Sequence, residues 1–129
     1  MALEISVNKK QNGVFIISLL GSIDSETYMD LEKKVDSILS SSPKVIILDM
    51  EGVSYISSMG VSVILTTKKN LEKTGGVFIM ANLQPQIKKV FEIVATLPNL
   101  RIFASIEEAD VYLGKMQQDE IEKKKPHLD

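Results

Sequence analysis

The segment from Val45 to Lys69 constrains the fold more than any other part of the sequence. It opens with four consecutive aliphatic residues, Val45-Ile46-Ile47-Leu48, a run typical of a strand that is buried on both faces in a parallel sheet. Asp49 is expected to end this strand, and the residues up to Ile56 are expected to cross the sheet edge. A helix is predicted to follow, because apolar residues then recur at helical spacing on one face: Val61, Ile64, Leu65 and Leu71.

The start of this predicted helix carries two adjacent hydroxyl groups, those of Ser57 and Ser58. A serine at a helix N-terminus lies beside free backbone N–H groups and the positive end of the helix dipole. Two interpretations are open for the pair, simple helix capping and a functional hydroxyl. Met59 is expected to be an exposed contact residue, with packing against the core as the alternative, and Ser62 should share the face of Ser58.

The remaining chain predicts alternating strands and helices after an N-terminal hairpin. Leu3–Asn8 alternates apolar and polar residues, as edge strands do, and Asn12-Gly13 suits a tight turn into a second strand over residues 14–20, which Gly21 breaks. Asp24 or Ser25 can cap the first helix. The order β-β-α-β-α-β-α-β-α predicts an α/β fold with a mixed sheet and four helices, most of them on one face.

The chain is predicted to hold one domain over residues 1–116, followed by a charged C-terminal extension over residues 117–129. The extension carries Lys123-Lys124-Lys125 and is expected to begin as a frayed helix and to end as a loose tail. No internal repeat is visible.

Composition excludes several functional classes. The 129 residues carry a net charge of −2, with no basic surplus to bind nucleic acid, and contain no cysteine for a disulfide, a thiolate metal site or a thiol nucleophile. Apolar runs are too short for a membrane helix, and the N-terminus lacks the pattern of a signal peptide. We therefore expect a cytoplasmic protein with no membrane span, cofactor or metal.

Catalytic motifs are missing as well. A serine hydrolase needs a base beside its serine, and the single histidine, His127, falls in the predicted tail. Neither Gly60 nor Gly75-Gly76 belongs to a phosphate-binding loop. Asp49 could be a receiver-type phosphoacceptor, but no acidic pair follows the first strand to hold Mg²⁺, so capping or solvation explains it better. We predict no enzymatic activity.

Residues Leu3–Met116 resemble the STAS domain of bacterial anti-sigma factor antagonists. The resemblance rests on Leu20-Gly21-Ser22-Ile23-Asp24, on Val45–Met50 and on Val53–Leu65, in that order and spacing, with support from Gly75-Gly76. In that family the serine or threonine two places before a loop glycine is phosphorylated by an anti-sigma factor kinase. This position is Ser58, and the family's aspartate falls on Ser57, which is the competing acceptor.

The resemblance implies a non-enzymatic regulator that binds an anti-sigma factor of the serine kinase type and thereby frees a sigma factor. A serine phosphatase and a homodimer are further partners left open. The expected binding face combines two loops at the same end of adjacent strands: Ser22, Asp24, Ser25, Ser57, Ser58, Met59, Gly60 and Ser62.

Three alternatives stay open at this stage. The chain could be a structural STAS subunit of a stress-sensing or other multi-protein assembly, a role that the C-terminal extension would suit. It could be an auxiliary STAS subunit of a lipid or anion transport system. An ATP-dependent enzyme is the most distant of the three.

Overall fold

A five-stranded mixed sheet forms the centre of the protein, in a computed structural model that describes residues 2–94 and 101–124. The elements follow the predicted order, with one 3-10 turn inserted between the first two strands. The strands are β1 (Glu4–Lys9), β2 (Val14–Ile23), β3 (Val45–Ile56), β4 (Val77–Ala81) and β5 (Arg101–Phe103). The helices are α1 (Tyr28–Leu39), α2 (Ser58–Lys73), α3 (Pro85–Val94) and α4 (Ile106–Lys124).

The strands lie side by side in chain order, from β1 at one edge to β5 at the other. β1 pairs with β2 in antiparallel fashion, and the other three neighbouring pairs are parallel. The predicted hairpin is confirmed, since Asn12 and Gly13 take positive φ angles of 64° and 73° in its turn. Each parallel pair is joined by a helix, so the carboxyl ends of β2, β3 and β4 all lie at the same end of the sheet.

Two predicted strand ends were wrong. β3 does not stop at Asp49 but continues to Ile56, and β2 passes through Gly21 to Ile23. Beyond Asp49 the pairing of β3 is with β2 alone, because β4 ends at Ala81. The pairing of β2 with β3 continues past two irregularities in the register. Gly52 lies very close to β2, because an added Cβ there would be 2.7 Å from the Leu19 carbonyl oxygen.

The sheet is covered unequally on its two faces. Helices α1, α2 and α3 pack on one face over the larger core cluster, and α4 packs on the other over Ile16, Val45, Ile47, Ile79 and Ala81. This arrangement confirms that most helices share one face. The four-residue run at the start of β3 is almost inaccessible to solvent, because it supplies side chains to both cores.

The buried face of α2 differs from the predicted one. Val63, Ile64 and Leu71 are buried, together with Gly60, Thr67 and Lys68, whereas Val61 and Leu65 are only half-buried. Lys68 tolerates burial because its ammonium group forms an ion pair with Glu72 at 2.7 Å, at the water-facing end of its stem.

Helix α4 continues past the predicted domain boundary at residue 116 and ends at Lys124, while residues 125–129, with His127, lie outside the described residues. The boundary itself stays a prediction. In the described ranges no helix is both long enough and apolar enough to cross a membrane.

Replacement of Ile47 by alanine should lower the free energy of unfolding by about 2–5 kcal/mol, because it removes a fully buried side chain and leaves a cavity. A urea titration measures this. The matched control is Val111→Ala on α4, where the side chain is 67% exposed and the change should stay within about 0.5 kcal/mol. Equal effects of the two substitutions would contradict the central position of β3.

Candidate functional site

The carboxyl ends of β2 and β3 lie side by side at the same end of the sheet, and a backbone hydrogen bond joins the loops that follow them. Ser57 N–H donates to the Ile23 carbonyl oxygen at 2.8 Å. In the ladder just before these loops, Ser22 lies opposite Tyr55 and Ile23 lies opposite Ile56. The two predicted parts of the binding face therefore form one continuous patch.

Ser57 and Ser58 have different roles at the start of α2. Ser57 is the N-cap, in extended conformation, and its Oγ accepts a hydrogen bond of 3.2 Å from Gly60 N–H. Ser58 is the first helical residue and is exposed, while Ser57 is half-buried. Met59 is 47% exposed, as expected for a contact residue. Ser58 thus presents a hydroxyl group that helix capping does not occupy.

Gly60 does not belong to the accessible part of the predicted binding face. It is buried, and an added Cβ would lie 2.6 Å from Ile23 Cγ2 and 2.8 Å from Ile56 Cγ1. Only a residue without a side chain lets the first turn of α2 approach the ends of both strands this closely. Gly60 therefore positions Ser58 and does not present a surface of its own.

The loop after β2 is held by a reciprocal pair of side chains, Asp24 and Thr27. Asp24 Oδ1 accepts from the backbone N–H groups of Glu26 and Thr27 at 2.9 and 3.1 Å, and Asp24 N–H donates to Thr27 Oγ1 at 2.9 Å. Thr27 is buried and its hydroxyl donates to the Ser22 carbonyl oxygen at 2.7 Å. Asp24 therefore holds the turn that precedes α1. The predicted capping of the helix itself by Asp24 or Ser25 was wrong, because the N-cap of α1 is Thr27, which makes no side-chain capping hydrogen bond.

These contacts also set the charge of the loop. The Glu26 N–H group is the largest cause that lowers the pKa of the Asp24 carboxyl, and the Thr27 hydroxyl adds to it against some desolvation. Asp24 is thus a half-buried carboxylate beside the patch, and Ser25 next to it is exposed.

An open groove extends the patch along α2. Ser58 and Ser62 line it, as their predicted common face requires, together with the half-buried Val61 and Leu65, and its volume is about 840 Å³. Lys69 and Lys73 line its far end. The groove offers a partner apolar contact beside the two hydroxyl groups and positive charge further along the helix.

Three exposed apolar side chains near the patch were missed from the sequence. Tyr55 is 55% exposed and opposite Ser22, Leu20 is 56% exposed on β2, and Met29 is 51% exposed in the first turn of α1. The sequence signal was weak: Leu20 and Tyr55 stand two positions before the predicted site residues Ser22 and Ser57, and Met29 stands four positions after Ser25. It could not be used without the register, because the same residues would fit a buried face equally well.

Asp49 has a structural role in this arrangement. Its carboxylate accepts hydrogen bonds from Ser18 Oγ at 3.3 Å and from Asn82 Nδ2 at 3.0 Å, in the middle of β3. The parts of the chain that the structure describes contain no group of three side chains suited to hold a metal ion. Asp49 ties three neighbouring strands together at the point where β4 ends.

Gly60→Ala should destabilise the protein by about 1–3 kcal/mol, because the methyl group would overlap Ile23 and Ile56. Gly114→Ala in α4 is the matched control, since nothing lies within 4 Å of a Cβ there and the helix should gain about 0.5–1 kcal/mol. Denaturant midpoints of both variants show whether each substitution stabilises or destabilises the protein. A stabilising Gly60→Ala would contradict the close packing of α2 on the strand ends.

Comparison with known proteins identifies the family. The model of the STAS domain matches residues 6–109. A Bordetella bronchiseptica protein, BtrV, assigned as an anti-sigma factor antagonist, is 30% identical over 100 residues, which cover 78% of this chain and 86% of that protein.

Solved structures share the fold. A Thermotoga maritima protein assigned as an anti-sigma factor antagonist aligns with a TM-score of 0.77 at 21% identity, over 84% of this chain and 92% of the other. The Bacillus cell fate determinant SpoIIAA in its phosphorylated form aligns with a TM-score of 0.69 at 25% identity, over 85% and 99% of the two chains. Sequence and fold together lead to one conclusion: the chain belongs to the STAS domain family.

Proposed function

We propose that this protein is an anti-sigma factor antagonist whose binding to an anti-sigma factor is controlled by phosphorylation of Ser58. The observation that carries the proposal is the exposed Ser58 hydroxyl at the first position of α2, beside a capping Ser57 that holds the helix start. The assignment of BtrV as an anti-sigma factor antagonist and the phosphorylated form of SpoIIAA support it.

Ser58 is a better acceptor than Ser57 on physical grounds. The Ser57 oxygen is engaged by Gly60 N–H and the residue is half-buried, so a kinase would have to open the helix cap to reach it. Serine and aspartate are both strong N-caps. Ser57 can therefore replace the family's aspartate in the helix start, while one negative charge beside the acceptor is lost.

Phosphorylation of Ser58 should change the surface and leave the fold intact. A phosphate adds about −1.5 to −2 charges at neutral pH. The free N–H groups and the dipole of α2 stabilise such a charge at the helix start. On the outside, the same charge would hydrate a patch that otherwise offers Met59, Val61 and Leu65 for contact.

The proposed binding face combines the two joined loops with the exposed side of α2. Its members are Ser22, Asp24, Ser25, Ser57, Ser58, Met59 and Ser62, and the structure adds Met29, Tyr55, Val61 and Leu65. The partner is an anti-sigma factor of the serine kinase type, and a phosphatase would reverse the modification. The protein acts in the cytoplasm, by binding and without catalysis.

Incubation with the cognate anti-sigma factor kinase and ATP should place one phosphate on Ser58, as read by mass spectrometry of the intact protein and its peptides. Ser58→Ala should abolish the incorporation, because it removes the exposed acceptor. Ser57→Ala should keep Ser58 phosphorylated, since only the cap is lost, at about 1 kcal/mol. Phosphate confined to residues other than Ser57 and Ser58 would favour the structural-subunit alternative.

Ser58→Asp should weaken binding to the anti-sigma factor by about 1–3 kcal/mol, through charge and hydration at the docking patch. Ser58→Ala should bind nearly as well as the wild type. Gln11→Glu is the charge control, because it adds the same charge in the exposed β1–β2 turn at the opposite end of the sheet. Isothermal titration of the three variants measures this. Equal affinity of Ser58→Asp and wild type would contradict the proposed control of binding by phosphorylation.

A further inference from the structure

β1 leaves one edge of the sheet open. It is the first strand in the sheet order and pairs only with β2 in the part of the chain that the structure describes. Exposed edge strands are usually protected by lysine, proline, a bulge or a covering loop. The centre of β1, Ile5-Ser6-Val7, contains no such residue, and the lysines, Lys9 and Lys10, stand at its end.

The hydrogen-bond pattern shows which backbone groups point outward. Lys10 N–H donates to the Val14 carbonyl oxygen at 2.7 Å, which makes these two a hydrogen-bonded pair of the antiparallel ladder. Bonded and non-bonded pairs alternate in such a ladder. Ser6 and Asn8 therefore direct their N–H and C=O groups to β2, whereas Ile5, Val7 and Lys9 direct theirs to the outer edge.

The side chains of these outward-bonding residues lie on the helix-covered face. Ile5 is half-buried and packs against the larger core cluster, and Val7, two positions later, is 37% exposed on the same face. An open groove of about 380 Å³ runs beside them, with Leu3 and Ile5 on one side and Asp30, Lys33 and Lys34 of α1 on the other. Apolar side chains placed against this edge would therefore lose contact with water.

We propose that the outer edge of β1 pairs with β1 of a second copy of this chain, in antiparallel fashion about a two-fold axis at Ser6. An axis perpendicular to the sheet keeps the helices of both copies on the same side. Side chains alternate between the two faces along a strand. Each residue must therefore face one that lies an even number of positions away in the sequence, so that both side chains are on the same face.

The side-chain pairs favour the register about Ser6 over the registers about the adjacent residues. An axis at Ser6 sets Ile5 opposite Val7 of the second copy, twice, and Glu4 opposite Asn8, so that apolar residues meet and no like charges do. An axis at Val7 would set Ile5 opposite Lys9. An axis at Ile5 would pair only Glu4–Ser6 of the strand, whereas the axis at Ser6 pairs Glu4–Asn8. The register about Ser6 therefore pairs more of β1 than the axis at Ile5 and, unlike the axis at Val7, sets no lysine opposite an apolar residue of the strand. The dimer would be a continuous ten-stranded sheet, with the face around Ser58 of each copy left free.

A single cysteine tests the register, because the natural chain contains none. Ser6 is exposed and would form a non-hydrogen-bonded pair with itself, for which the Cα atoms lie about 4.5 Å apart, within disulfide range. With oxidised glutathione as oxidant, Ser6→Cys should give a covalent dimer within minutes. Asn8→Cys, also exposed, should react at least tenfold more slowly, since its two copies would be four positions apart along the strands.

Solution mass tests the interface itself. Light scattering on a size-exclusion column should give twice the chain mass for the wild type at high protein concentration. Val7→Lys should give the monomer, with a thermal melt equal to that of the wild type at a concentration too low for the dimer, because dimerisation itself raises the melting temperature. The control Val111→Lys, on the exposed side of α4, should remain dimeric. A monomeric wild type, a dimeric Val7→Lys, or equal crosslinking of the two cysteine variants would overturn the proposal. None of these substitutions touches the face around Ser58, so the anti-sigma factor titration stands apart from this outcome.

Discussion

The contact between the first turn of α2 and the ends of β2 and β3 is the constraint on which the site depends. Gly60 lies against Ile23 and Ile56, and Ser57 N–H is bonded to the Ile23 carbonyl oxygen at 2.8 Å. The packing fixes the distance of the helix from the sheet, and the hydrogen bond fixes the point at which it begins. Ser58 is then exposed at a defined position of the helix N-terminus, because its neighbours on both sides are held by contacts with the strand ends.

That geometry separates the groups that hold the helix start from the proposed phosphorylation site. The groups that hold the helix start, the Ser57 cap and the Gly60 contact, lie on the inner side of the turn. The outer side carries Ser58, Met59 and Ser62. A charge added on the outer side meets a helix dipole that stabilises it and water that solvates it, so it changes what can bind more than it changes the fold.

Local chemistry made the start of α2 predictable from the sequence. Serine as N-cap, the helix that follows and the burial of Val45–Leu48 each depend on residues within one element. The length of β3 could not be predicted in the same way. It depends on pairing with the ten-residue β2, and that pairing continues through Gly21 of β2 and Gly52 of β3. Gly21 taken alone indicates a break in the strand.

The inner face of α2 was mispredicted for a related reason. Four apolar residues in the stretch 61–65 fit more than one helical stripe, and their spacing alone does not choose between Val61 and Val63. Gly60 makes the choice, because its contact with Ile23 turns Val63 and Ile64 inward and leaves Val61 and Leu65 beside Ser58. The exposed Tyr55 and Met29 likewise became site candidates only once the strand register and the α1 boundary were known.

The central claim is that modification of Ser58 alters a surface and spares the fold. One preparation of the protein, phosphorylated stoichiometrically at Ser58, tests it most directly when its melting temperature and its affinity for the anti-sigma factor are measured side by side. The account predicts an affinity at least about fivefold lower than that of the unmodified protein, as a loss of 1 kcal/mol requires, with a melting temperature within about 2 °C of it. A large fall in melting temperature that accounts for the lost affinity, or full affinity with phosphate on Ser58, would contradict it.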